Sequence, residues 1–450
     1  MRMHRVMMVA YHFPPVGGVG VERTLKHATY LPDDGWEAVI VAPSHSAYRI
    51  VDPASIERIP AGLEVHRAPT VEPAHLRRLL GALRRRAGAT RRAPPGTNAP
   101  AASPAGRPGG PLRLRERANA AWSAVVPKLF FPDDQLLWIP AVVIAGMRSH
   151  RRAPVDAIYS SAPPISGHLA AAVLARLLRL PWIADFRDPW IGNAFSQRPP
   201  ALHRAIQRQL ERMIVGRADR VIFATDGWRQ RYAVRYPELA HRFVHSPNGY
   251  DRADLGASNP PPRGAGGPFR LIYPGSIYGQ TELELFLDGL AVAIEHDPVL
   301  RDTLRVEFVG LLNAHNQAVA QARGAALEPV VSFIGQRPRS EVLAMERGAD
   351  AGLILIADDP GRDADVNAKL YEYLGLDLPV LAVAPAGETR ETLDALGWGV
   401  GVDPRPAAIA DGLRAIMARP RPDRPADPEG RYDRRRLAAQ LAGLLDEISR

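Results

Sequence analysis

The chain has 450 residues, 46% hydrophobic and 23% charged, a balance that suits a soluble globular protein with a large core and excludes global disorder. It contains no cysteine, which removes disulfides, thiolate nucleophiles and cysteine-ligated zinc or iron–sulfur centres together and fits a reducing compartment. The net charge of +9 is local, because residues 75–117 hold eleven arginines against one glutamate and leave the rest of the chain close to neutral.

The opening MRMHRVMMVAYHFPP has an apolar run of about five residues, shorter than the roughly 7–15 of a signal peptide, and reads as a first strand. No run reaches the ~18 apolar residues of a membrane span, so a soluble or peripheral protein is expected. The loop AYHFPPVGGVGVER, residues 10–23, follows. A dinucleotide fingerprint begun at Gly18 would pass through Gly20 to a third glycine at position 23, which is Arg23, so NAD or FAD binding is disfavoured. The loop still lies at the carboxyl end of a strand, where open α/β sheets take ligands. Gly17, Gly18 and Gly20 would let a phosphate or sugar approach backbone amides there. A Pro-Gly turn with no ligand is the alternative.

Short β-rich runs then alternate with helical patterns, the signature of parallel sheets with crossover helices. The strands expected in the first half are RVMMVAY, EAVIVAP, LEVHRAP, AIYSSA, WIADF, RVIFAT and FVHSPN. The helices between them include ERTLKHATYL, GHLAAAVLARLLR and LHRAIQRQLERMIV. One segment interrupts this order. LRRLLGALRRR sets Leu76, Leu79, Leu80 and Leu83 on one face of a short basic helix, and the Ala/Pro/Gly/Arg-rich residues 87–112 should lack fixed structure. Such a helix can lie on an anionic membrane surface, or it is a solvated insertion. Nucleic acid is disfavoured, because the aromatic residues of a single-strand groove are missing.

Residues 252–269 are dense in Pro, Gly and Ser and read as a linker. The same grammar then restarts with strands RLIYPG, RVEFVG, VVSFIG, AGLILIA and PVLAVA and helices such as ELELFLDGLAVAIEH, RSEVLAMERGA and NAKLYEYLGL. At about 150 residues per domain the length allows two or three domains. The pattern predicts two: residues 1–252, with an insertion at about 75–117, and residues 268–450, each a doubly wound α/β sheet.

Several of these stretches carry a resemblance. FPPVGGVGVERTLKHATYLPDDGWEAVIVAP is similar to the amino-terminal loop, helix and second strand of family 4 glycosyltransferases, the retaining sugar-nucleotide enzymes of the GT-B fold. The likeness continues through YSSAPPISGHLAAAVLARLLRLPWIADFRDPW, SPNGYD, LIYPGSIYG, FIGQRPRSEVLAMERGADAGLILI and AKLYEYLGLDLPVLAV, nearly the whole chain outside the arginine-rich insertion. It implies a GT-B architecture, two Rossmann-like domains facing a cleft, in which the second domain binds a nucleoside-diphosphate sugar and the first offers most acceptor contacts.

The resemblance also implies roles. Glu372 matches the family's glutamate that binds the ribose hydroxyls, and a carboxylate can accept two hydrogen bonds from a vicinal diol. Many members carry a second glutamate eight residues earlier, where this chain has Ala364 flanked by Asp363 and Asp365. The usual Arg and Lys after the first strand of the second domain are replaced by GSIYGQ, with Ser276, Tyr278 and Gln280. Lys369, one helical turn before Glu372 and beside Leu370, is then the expected phosphate cation, with Arg337 and Arg339 as fallbacks. Strand ends at Gly275, Gly310 and Gly335 should line the donor pocket.

In the first domain, IADFRDPW puts Asp185, Arg187 and Asp188 at a strand's carboxyl end, facing the cleft. Arg187 and Asp188 are candidate catalytic contacts beside Lys369, or else a structural ion pair. His168 is a helix histidine or a cleft residue. Asn248 and Gly249 should form a left-handed turn at the cleft.

The expected reaction moves a sugar from a nucleoside-diphosphate donor to a hydroxyl acceptor with retention of configuration. No cofactor and no metal are expected. The acceptor candidates are envelope polysaccharide, a lipid-linked precursor or a secondary metabolite. No nucleic-acid partner is expected, and the protein is placed in the cytoplasm or at the inner, anionic face of the membrane. A nucleotide-sugar epimerase or hydrolase of the same fold and a non-catalytic membrane-associated scaffold are the alternatives.

Overall fold

Apolar runs rich in Val, Ile, Leu and Ala become strands buried on both faces, as parallel sheets with helices on each side require. The computed structural model describes residues 3–48, 51–78, 130–192, 200–256, 267–277, 279, 281–419 and 424–450. The first sheet comprises β1 (His4–Ala10), β2 (Trp36–Pro43), β3 (Glu64–Ala68), β4 (Ala157–Ala162), β5 (Trp182–Phe186), β6 (Arg220–Phe223) and β7 (Phe243–His245). Its order is β3-β2-β1-β4-β5-β6-β7, and every pair is parallel. The second comprises β8 (Phe269–Pro274), β9 (Leu304–Val309), β10 (Val331–Phe333), β11 (Ala351–Leu355), β12 (Val380–Val383) and β13 (Gly399–Val402), in the order β10-β9-β8-β11-β12-β13, again all parallel.

Each sheet therefore reverses its winding beside its own first strand, β1 or β8. The crevice at the carboxyl ends of such a reversal is where open α/β sheets bind ligands. Twelve of the strands match the apolar runs in the sequence. The strand β13 was not expected, because its GVGV alternation lacks a continuous β-branched run.

Helices Ile139–Arg152, Ile165–Leu178, Ala201–Arg217 and Asp226–Arg235 share one core on one face of the first sheet, built on Trp138, Val142, Leu174, Ile214 and Tyr232. The opposite face is covered by helix Val19–Tyr30 and by the final helix, Arg434–Ser449. That last helix corrects the expected boundary of 268–450. Its Leu441 and Leu445 pack with Val6, Met8 and Ile40 of the first domain, and Trp36 Nε1 donates to Asp446 at 2.9 Å. Its leucine spacing shows an amphipathic helix but not which sheet receives it.

The chain crosses between the halves twice, and the crossings meet. The amide of Tyr250 donates to the carbonyl of Tyr432, and the amide of Arg434 donates to that of Tyr250, each at 2.9 Å. This corrects the left-handed turn expected at Asn248 and Gly249: neither has a positive φ. A Cβ at Gly249 would lie 2.2 Å from the Tyr432 carbonyl oxygen, so glycine is needed for the close approach of two segments. Lys26 adds ion pairs from helix Val19–Tyr30 to Asp251 at 2.6 Å and Asp254 at 2.7 Å.

Most of the expected basic helix, from Leu79 onward, lies outside the described residues, as do Tyr278, Gln280 and linker residues 257–266. Among the described residues no helix is long and apolar enough to cross a membrane.

Candidate functional site

On the second-domain wall, β8 ends in Tyr273 and Pro274, and Gly275 follows. Gly275 has φ +100° and Gly310, just past β9, has φ +155°; a Cβ on Gly310 would meet Gly275 backbone at 2.4 Å. Two strand ends thus come together as bare backbone. Lys369 extends over them: its Nζ lies 4.5 Å from the centre of the Tyr273 ring and donates to Tyr273 Oη at 3.4 Å. Its Cε is 3.3 Å from where a Cβ on Gly275 would sit. Asn367 caps the helix Ala368–Gly375 by accepting the Lys369 amide at 3.0 Å, so the positive end of that helix points to the same place.

Glu372 follows one turn later, its side chain 21% exposed, with the Arg339 guanidinium against its Oε1. Leu370 points the other way, into the core with Leu374, so its side chain cannot face a ligand. Ser276 is half-buried at the crevice, whereas Gly335, with φ +77°, borders open space beyond the edge strand β10.

On the first-domain wall, Gly17 is buried and Gly18, with φ 95°, begins helix Val19–Tyr30. Arg187 Nη1 donates to the Gly20 carbonyl at 2.5 Å, Nη2 to that of Pro163 at 2.6 Å and Nε to that of Ala162 at 3.4 Å. Arg187 is therefore a clamp joining three strand-end loops, and with its donors engaged it forms no ion pair with the exposed Asp188. Asp185 does not face the cleft. It is fully buried, where it accepts from Arg23 Nε at 2.6 Å and Nη2 at 3.2 Å and from the Tyr159 hydroxyl. Arg23 also donates to the carbonyls of Ser246 and Pro247 at 2.9 and 2.7 Å. The residue that broke the dinucleotide pattern is thus the centre of a buried ion pair.

His168 is the structural histidine of the two readings. It is fully buried, its Nδ1 is 2.7 Å from Ser160 Oγ, and burial lowers its pKa to about 3. His12 carried no pattern in the sequence but lies beside Gly20, where a Cβ would be 3.4 Å from its ring. Burial, reinforced by Arg187, lowers its pKa to about 3, so it is neutral at pH 7.

The two walls meet along one side. Glu388 of the second domain accepts the backbone amides of Asp226 at 2.8 Å and Gly227 at 2.7 Å, capping the helix Asp226–Arg235 of the first. Arg231 pairs with Asp363 at 2.6 Å, and Trp228 Nε1 donates to Asp365 at 3.3 Å. Ala364, between them, is 3% exposed. The segment that would replace the missing first glutamate is therefore engaged with the other domain. A cavity of about 460 Å³ opens beside this contact, lined in part by Gln230, Arg231, Asp363 and Glu391, and shares no lining residue with the Gly275, Lys369 and Glu372 group. Desolvation lowers the Arg339 pKa, but the neighbouring Glu372 and, from the first domain, Glu22 help to outweigh it, so the net shift is upward.

Glu346, in RSEVLAMERGA, is fully buried beside Glu372, and desolvation and that neighbour raise its pKa to about 9. Its position on a mixed polar helix gave no hint of this. Among the described residues no group of three His, Asp or Glu side chains is arranged to hold a metal ion.

No protein-family model matches the chain. It is 28% identical over 238 residues to the D-inositol 3-phosphate glycosyltransferase of Geodermatophilus obscurus, a match that spans about half of each protein, 50% and 51%. Two solved structures superpose over nearly the full length. A glycosyltransferase from Rickettsia africae has a TM-score of 0.63 at 11% identity, covering 99% of this chain and 98% of its own. Anabaena HepE in complex with UDP and glucose has a TM-score of 0.59 at 15% identity, covering 99% and 100%. The fold is GT-B: two parallel Rossmann-like sheets whose switch points face one cleft.

Proposed function

We propose that this protein is a glycosyltransferase that moves a sugar from a nucleoside-diphosphate donor to a hydroxyl acceptor, with retention of configuration, as in family 4. The observation that carries this reading is the convergence of Lys369, Glu372 and the bare strand ends at Gly275 and Gly310 on the switch point of the second sheet. The half-length likeness to an inositol-phosphate glycosyltransferase supports it.

In this reading Glu372 accepts the ribose hydroxyls. Lys369, the adjoining amides and the positive end of its helix balance the diphosphate charge that grows as the sugar departs. The departing phosphate takes the acceptor's proton, so no strong general base is needed, and the first-domain loop Gly17–Gly20, held by the Arg187 clamp, closes on the sugar. The acceptor is a hydroxyl compound, lipid-linked at an anionic membrane face in one version of the proposal.

A thermal-shift and calorimetry panel of UDP, GDP and their glucose conjugates tests the reading. Stabilisation by at least one nucleotide is expected, growing with ligand concentration. If none stabilises the protein at millimolar concentration, a non-catalytic scaffold is the better description. Released or isomerised sugar without acceptor would instead mark a hydrolase or epimerase.

A further inference from the structure

Glu346 sits on the helix Arg339–Arg347, whose Leu343 shares a core with Leu370 and Leu374 of the helix that carries Glu372. Its side chain is fully buried, and no donor of the described residues reaches either of its carboxylate oxygens. The group it faces is the Glu372 carboxylate. Arg339 Nη1 is 3.8 Å from Glu346 Oε2, beyond hydrogen-bond reach, and lies instead against Glu372 Oε1. Neither oxygen of the buried Glu346 has a donor, so this carboxyl is the one of the two that keeps a proton, which it can offer to the Glu372 carboxylate it faces.

We propose that Glu346 is a positioning residue for the nucleoside: as a neutral acid it donates a hydrogen bond to Glu372 and turns that carboxylate so that its remaining lone pairs meet the ribose diol, while Arg339 covers Glu372 until the ligand arrives. This rests on Glu372 being the ribose contact. A pKa raised to about 9 keeps Glu346 protonated through neutral pH. The charged groups facing it are Glu372, Arg339 and Lys369. The nearby Tyr373 hydroxyl donates to the carbonyls of Ile272 at 3.2 Å and Leu353 at 3.1 Å and, with its pKa well above the usual value, stays neutral. Above pH 9 Glu346 ionises, the two carboxylates repel, and Glu372 loses its orientation.

Calorimetric titration of UDP into the wild type, Glu346→Gln and Glu346→Leu at pH 7 and pH 10 tests this. Glu346→Gln keeps a donor but cannot ionise, so it should bind within about twofold of wild type at pH 7. Glu346→Leu should bind about tenfold more weakly at pH 7, as expected for a lost hydrogen bond to a charged group. Between pH 7 and pH 10 the wild type should lose about tenfold more affinity than Glu346→Gln, a comparison that also subtracts the alkaline titration of the uracil ring and of groups common to both proteins. Equal alkaline losses in wild type and Glu346→Gln, or unchanged UDP binding by Glu346→Leu at pH 7, would overturn the role of Glu346. A wild type that binds no nucleotide would overturn the functional reading itself.

Discussion

The two walls of the cleft handle charge in opposite ways. In the first domain Asp185 is closed off by Arg23 and Tyr159, and Arg187 is engaged with three carbonyls. Its charges hold loops in place. In the second domain Lys369 and Glu372 stay partly exposed beside open backbone, and Glu372 borders the buried Glu346 carboxyl while Arg339 lies against it. A wall whose polar groups satisfy one another is a scaffold, whereas a wall that leaves a cation and a carboxylate partly open to solvent is set for a ligand to complete.

Substitutions should separate the walls, and the largest stability effect belongs to the first. Asp185→Ala leaves Arg23 buried without its partner and should cost about 3–5 kcal/mol, read from urea unfolding. A loss below about 1 kcal/mol would show that the pair does not hold the loops. Glu372→Ala should leave unfolding within about 1 kcal/mol of wild type yet weaken nucleotide binding by about 1.5–3 kcal/mol, since a group at a ligand wall carries little of the fold. Wild-type affinity in that variant would remove Glu372 from the donor site. Lys369→Ala should raise the donor KM about tenfold with a smaller stability change.

The carboxyl pair adds a ligand-free prediction. The raised pKa of Glu346 means that the folded state binds a proton that the unfolded state releases above about pH 4.3. Stability from this group is therefore full at acid pH and falls as pH rises towards about 9. Glu346→Gln should remove that slope, so its advantage over wild type in melting temperature should grow from pH 5 to pH 9. The smallest effect is expected at the domain contact. Glu388→Ala should cost about 1 kcal/mol by uncapping the helix Asp226–Arg235, and X-ray scattering should report a looser pair of domains.

Much of the architecture was legible. Strand-like runs at the expected spacing placed twelve strands and the break between two sheets, because parallel strands need unbroken apolar stretches. Lys369 and Glu372 were legible as a pair because residues three apart on a helix share a face. Asp185 and the turn at Asn248 and Gly249 were misplaced. In each case the deciding neighbour came from another part of the chain.

By itself, then, the sequence determined two doubly wound α/β halves, a glycine-rich loop after the first strand, glycines ending strands of the second half, and a cation and a carboxylate on one helical turn. These follow from periodicities that span a few residues. The tertiary structure alone decided that Arg23 meets Asp185 across 162 positions, that the last helix returns to the first domain, and that Glu346 lies buried against Glu372. Strand order and the crossings between domains bring such pairs together, and burial then sets which charges persist.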